Sequence, residues 1–101
     1  MDITTDGPKV VLSGEFDVRS TSQVRGAIYD VLSTADHVLI DMSGVEALDV
    51  VALRVLLVAT RQAWLEGRQL TLLDCSPSVL RMIHLARVGH AVEIERRAAA
   101  A

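Results

Sequence analysis

His37-Val38-Leu39-Ile40-Asp41-Met42, followed by Ser43-Gly44-Val45, is the stretch on which the fold turns. A mostly apolar run of this length with turn residues behind it predicts a strand buried on both faces, and such strands belong to parallel sheets covered by helices. Upstream, Lys9-Val10-Val11-Leu12 sits between Gly7-Pro8 and Ser13-Gly14 and predicts a second strand, with residues 2–5 as a short edge strand before it. Ser20 and Gln23 form a capping-box pair ahead of Val24, Ala27, Ile28, Val31 and Leu32, whose spacing predicts an amphipathic helix ending near Ser33-Thr34. Downstream, Asp49 is an N-cap for a helix running to residue 66 and stopped by Gly67. Leu70-Thr71-Leu72-Leu73 predicts a strand, Ser76-Pro77 starts a helix over residues 79–88 stopped by Gly89, and Val92-Glu93-Ile94-Glu95 predicts a closing strand. The order β(β)αβαβαβ predicts a single α/β domain over residues 1–95, with a mixed, mostly parallel sheet of four to five strands. Residues 96–101 read as a frayed tail.

Composition narrows the function. A chain of 101 residues has room for one core, and with half its residues hydrophobic and 23% charged it lies far from the disordered class. Net charge is -3, and the basic residues are scattered except for Arg96-Arg97, so nucleic acid is not an expected partner. The single cysteine, Cys75, excludes an internal disulfide and fits a reducing cytoplasm. The longest apolar segment, residues 50–59, is broken by Arg54 and falls short of the roughly 20 residues of a membrane span, so no direct membrane insertion is expected. Aromatic residues are only Phe16, Tyr29 and Trp64, so Val, Leu, Ile and Ala must fill the core.

Catalytic chemistry is not visible. His37, His84 and His90 have neither an i, i+4 spacing nor carboxylates at ligand-like offsets, which predicts no metal site. Neither a phosphate-binding glycine loop nor a nucleophile elbow occurs, and the reading is of a non-enzyme without cofactor. Cys75 follows Asp74 just before a helix N-terminus, where a thiolate is favoured, and is the one candidate for a redox role. Ser43 and Ser78, at turn and helix-cap positions, are expected to bond backbone groups.

The helix at residues 50–66 is the informative element. At 100° per residue, Ala52, Val55, Leu56, Ala59 and Ala63 form a small-residue stripe suited to lie against a sheet. The opposite side centres on Arg54 and Arg61 and carries Val50, Val51, Val58 and Leu65. Either this side is open, an apolar surface bordered by arginines and suited to a protein partner, or neighbouring loops and the helix at 77–88 cover it.

From Val10 to Ile94 the chain resembles the STAS domains (sulfate transporter and anti-sigma factor antagonist), and in particular the bacterial anti-sigma factor antagonists. The resemblance is carried by Leu12-Ser13-Gly14-Glu15-Phe16-Asp17, similar to the family's Gly-Glu-Leu-Asp, by Leu39-Ile40-Asp41-Met42-Ser43-Gly44-Val45, similar to its Asp-Leu-Ser-Gly-Val, and by Gly67-Arg68-Gln69-Leu70-Thr71-Leu72 after a long helix. In such antagonists the next motif is Asp-Ser-Ser-Gly-Leu, whose second serine is phosphorylated by the partner anti-sigma factor acting as a kinase. The matching residues here are Asp49-Val50-Val51-Ala52-Leu53, so the acceptor position falls on Val51, which has no hydroxyl. Ala52 replaces the family's glycine, and Arg87 stands where a glycine is often found late in the last helix region.

The resemblance implies a cytoplasmic binding module that docks on an anti-sigma factor of ATPase or kinase fold through Asp17, Asp49, Val50, Val51 and Arg54. With valine at the phosphosite-equivalent position, the surface is held uncharged. The alternative is a structural STAS subunit, partnered by other STAS proteins in a stressosome-like assembly or by a bacterial lipid-transport ATPase.

Overall fold

The computed structural model describes residues 1–95; the predicted tail at 96–101 lies outside the described residues. One five-stranded sheet runs through the molecule in chain order: β1 (Asp2–Asp6), β2 (Lys9–Phe16), β3 (His37–Leu48), β4 (Gln69–Leu73) and β5 (Glu93–Glu95). β1 pairs antiparallel with β2, and the remaining neighbours are parallel. The connections are α1 (Thr21–Leu32), α2 (Val50–Leu65) and α3 (Pro77–Leu85). The expected mixed, mostly parallel sheet with packed helices is therefore the fold, at five strands.

Register explains the burial. Val10, Ile40 and Leu72 stand side by side on one face of the sheet, each with no exposed surface. Against them pack Val24 and Ile28 of α1, Leu56 and Ala59 of α2, and Val79 and Ile83 of α3, in one core cluster. Each fully buried aliphatic side chain contributes on the order of 1.5–3 kcal/mol. The alternating parts of α1 and α2 that the sequence assigned to the core are the parts that lie in it.

Two strand ends differ from expectation. Ser13-Gly14 and Ser43-Gly44 do not close their strands: β2 continues to Phe16 and β3 to Leu48. Between the pairs Val11/Asp41 and Ser13/Gly44, and again between Gly14/Val45 and Glu15/Ala47, β3 carries one more residue than β2. These are β-bulges, which re-aim a strand without ending it, and glycine inside a strand marks such sites as well as turns. A Cβ on Gly44 would lie 3.0 Å from the Leu12 carbonyl oxygen, so the close strand approach requires glycine there.

The start of α1 also differs. Ser20 is buried and its side chain makes no capping bond. Asp17 instead caps a short 3-10 turn, Val18–Ser20, that leads directly into the helix, so the capping carboxylate sits one turn earlier than the Ser20/Gln23 pair suggested. At the other end of the chain α3 stops at Leu85, before Gly89, because Arg87 takes a left-handed φ of 57° and its N–H bonds the His84 carbonyl oxygen. That conformation is the one glycine adopts freely at a helix C-terminus.

Candidate functional site

The site grows from the carboxyl ends of β2 and β3. Phe16 and Leu48 are paired, and the Asp49 N–H bonds the Phe16 carbonyl oxygen at 3.2 Å, so Asp17 and Asp49 leave the sheet side by side. Both therefore lie at the carboxyl edge of the parallel strands. Each aspartate is occupied locally. Asp49 Oδ1 accepts from the Ala52 N–H at 2.8 Å and fixes the first turn of α2. Asp17 accepts from the Arg19 N–H at 2.9 Å and from the Arg19 guanidinium at 2.6 and 3.1 Å, which holds its carboxyl below the usual carboxylate range.

With the helix start pinned in this way, Val50 and Val51 point outward. They are 59% and 43% exposed, and Arg54, one turn on, is exposed too. Val51, Arg54, Val55 and Val58 form one wall of a shallow groove of about 280 Å³, and Thr21, Arg25 and Tyr29 of α1 form the other. The open reading of the outer α2 face is the one realised: neither loops nor α3 cover Val50, Val51, Val58 or Leu65.

Sequence reasoning missed the α1 wall. The signal was present, because Thr21, Arg25 and Tyr29 recur every fourth residue on one side of a helix whose other side is the core. Trp64 was also missed as a surface residue, and at 75% exposure it is the most exposed large hydrophobic side chain among the described residues.

Cys75 is not part of this groove. It lies between β4 and α3, where burial, helped by the Asp74 carboxylate, pushes its thiol up to about 11. The expected thiolate character is therefore reversed: desolvation outweighs the helix N-terminus, and the thiol stays protonated at neutral pH. Next to it, Ser76 caps α3 through the Val79 N–H and donates to the Val45 carbonyl oxygen at 3.2 Å. Ser43, expected to bond backbone, donates its hydroxyl to Asp41 Oδ1 at 2.7 Å, and Ser78 is exposed in the first turn of α3 rather than at its cap. Among the described residues, no group of three His, Cys, Asp or Glu side chains is placed to hold a metal ion, and no helix is long and apolar enough to cross a membrane.

The family model described as "Mlab, STAS domain" matches residues 1–94. The chain belongs to the STAS domain family. Among solved structures, this STAS domain is similar to the anti-sigma factor antagonist SpoIIAA of Bacillus in its unphosphorylated form, with a TM-score of 0.74 at 18% identity, covering 95% of this chain and 86% of that one. An anti-sigma factor antagonist from Mycobacterium paratuberculosis gives 0.69 at 22% identity, over 91% and 80%. A serine-to-glutamate variant of Moorella thermoacetica RsbS gives 0.65 at 22% identity, over 95% and 86%. At these identities the likeness is one of fold. No curated protein matches the chain.

Proposed function

We propose that this STAS domain is an anti-sigma factor antagonist-like binding module of the cytoplasm, which docks on an anti-sigma factor of ATPase or kinase fold and thereby releases a sigma factor. It acts by binding, not by catalysis. The observation that carries the reading is the pair Val50 and Val51, held open to solvent at the capped start of α2 beside the carboxyl edge of the sheet. Asp17 and Asp49 position that edge, and Arg54 offers a guanidinium to a partner carboxylate. The similarity to SpoIIAA, whose structure is known both phosphorylated and unphosphorylated, supports the comparison of position 51 with a phosphorylatable serine.

A phosphate at a helix start is stabilised by free N–H groups and by the macrodipole, and it adds about 1.5–2 negative charges to the docking surface. Valine accepts no phosphate, so position 51 stays uncharged and binding is constitutive. Val51→Asp tests this without unfolding the chain, because an acidic residue in the first turn of a helix favours the free protein by about 0.3–1 kcal/mol. At the interface it buries an unpaired carboxylate. Affinity capture from native lysate should recover an anti-sigma factor with the parent chain and lose it with Val51→Asp. Titration calorimetry of the recovered pair should show weakening of at least about tenfold, and an unchanged affinity removes Val51 from the interface.

A second reading, a STAS subunit built into a stressosome-like assembly or a lipid-transport ATPase complex, rests on one observation: the family model that matches residues 1–94 is described as "Mlab, STAS domain". Recovery of a transport ATPase or of other STAS chains in the same capture selects it.

A further inference from the structure

The outer face of α2 carries a second surface at its far end. Val58 borders both grooves, but Val51 and Trp64 are separated by about 20 Å along the helix, at 1.5 Å per residue, so the two do not share one small contact. Around Trp64 lies a groove of about 470 Å³, whose floor and walls are Leu57, Val58 and Trp64 of α2 and Leu70 of β4. Trp64 is 75% exposed and Val58 56%, so apolar area that a monomer ordinarily hides is open here. The charged groups lining the groove are Arg61 and Arg68. α2 itself contains two arginines and no acidic residue, although the chain as a whole is acidic at -3. Glu66, just past the helix, is engaged by the Gln62 side chain at 3.0 Å.

We infer that this groove docks an acidic amphipathic helix of a partner protein, with apolar side chains seated on Trp64 and Val58 and carboxylates on Arg61 and Arg68. Charge selects the occupant. A second copy joined through the same face by two-fold symmetry brings arginine against arginine. The chain's own C-terminal residues carry Arg96-Arg97, which is the wrong sign. A helix laid along a groove, held by apolar anchors and flanked by opposite charges, is an established recognition mode, and an exposed tryptophan beside arginines has the composition of an interface hot spot.

Trp64 is the chain's only tryptophan, so its fluorescence reports this groove alone. The probe is a synthetic helical peptide with leucines on one face and flanking glutamates, compared with a twin in which glutamine replaces each glutamate. The acidic peptide should shift the emission to the blue with a saturable titration. Binding should weaken at least about tenfold for the glutamine twin, for Arg61→Gln combined with Arg68→Gln, and at high salt. Val51→Asp should leave this titration unchanged, which separates the outcome from that of the helix-start surface. The inference is overturned by the absence of a saturable shift or by equal binding of the two peptides. It is equally overturned by a shift that follows protein concentration without peptide, or by a shift produced only by vesicles of anionic lipid.

Discussion

The two faces of α2 are built from the same kinds of residue and have opposite fates. Ala52, Leu56, Ala59 and Ala63 face inward with at most 1% of their surface exposed, while Val50, Val51, Val58, Trp64 and Leu65 face outward with 43–75% exposed. Hydrophobicity therefore does not say which side is core. What separates the faces is the layer above them, since the inward side also buries Leu53 and Val55, side chains as large as the valines left outside. The inward stripe is rich in alanine, which lets the helix axis approach the sheet closely, and Leu56 fills the space that remains. The outward side chains have no layer above them. The apolar area that folding leaves open remains available for association, where its burial contributes instead.

The sharpest way to break this contrast is Leu56→Ala, which leaves a cavity in the core and should cost about 2–5 kcal/mol in chemical denaturation. Ala59→Leu should follow at about 1–3 kcal/mol, because added volume on the close-packed stripe forces the helix away from β4. Asp49→Ala should cost about 1 kcal/mol by releasing the Ala52 N–H, fraying the turn that presents Val50 and Val51. Smallest of all, Val58→Ser and Leu65→Ser should fall within about 0.5 kcal/mol of the parent. If an outer-face substitution cost as much as Leu56→Ala, the outer face would be buried in the folded chain, and both proposed docking surfaces would be withdrawn.

Much of the architecture was legible because it depends on local pattern. The i, i+3, i+4 spacing of Val24, Ile28 and Val31 and the Ser76-Pro77 cap each have one physical reading, and each element lies where that reading puts it. Gly14 and Gly44 were legible only in part. Glycine serves a turn and a bulge by the same lack of a Cβ, and the choice between them belongs to the partner strand: the extra residues of β3 opposite β2 define the bulges. Ser20 failed as a cap for a related reason, since Asp17 reaches the backbone first through the turn at Val18–Ser20. On the candidate surface, Asp49, Val50, Val51 and Arg54 were legible together because they start one helix. Arg25 and Tyr29 were missed because they come from another helix, and only the packing of α1 beside α2 brings them to Val51.

By itself the sequence determined the element order, the parallel character of the sheet, the capping aspartate of α2 and the absence of a hydroxyl at position 51. All of these follow from side-chain chemistry and from periodicity within a few residues. Tertiary structure alone decided which face of α2 is open, that two grooves of opposite composition to the chain's net charge lie along it, and that Cys75 holds its proton. Each of those depends on what residues distant in the chain place nearby, through desolvation, through steric access and through the neighbouring helix that supplies a second wall.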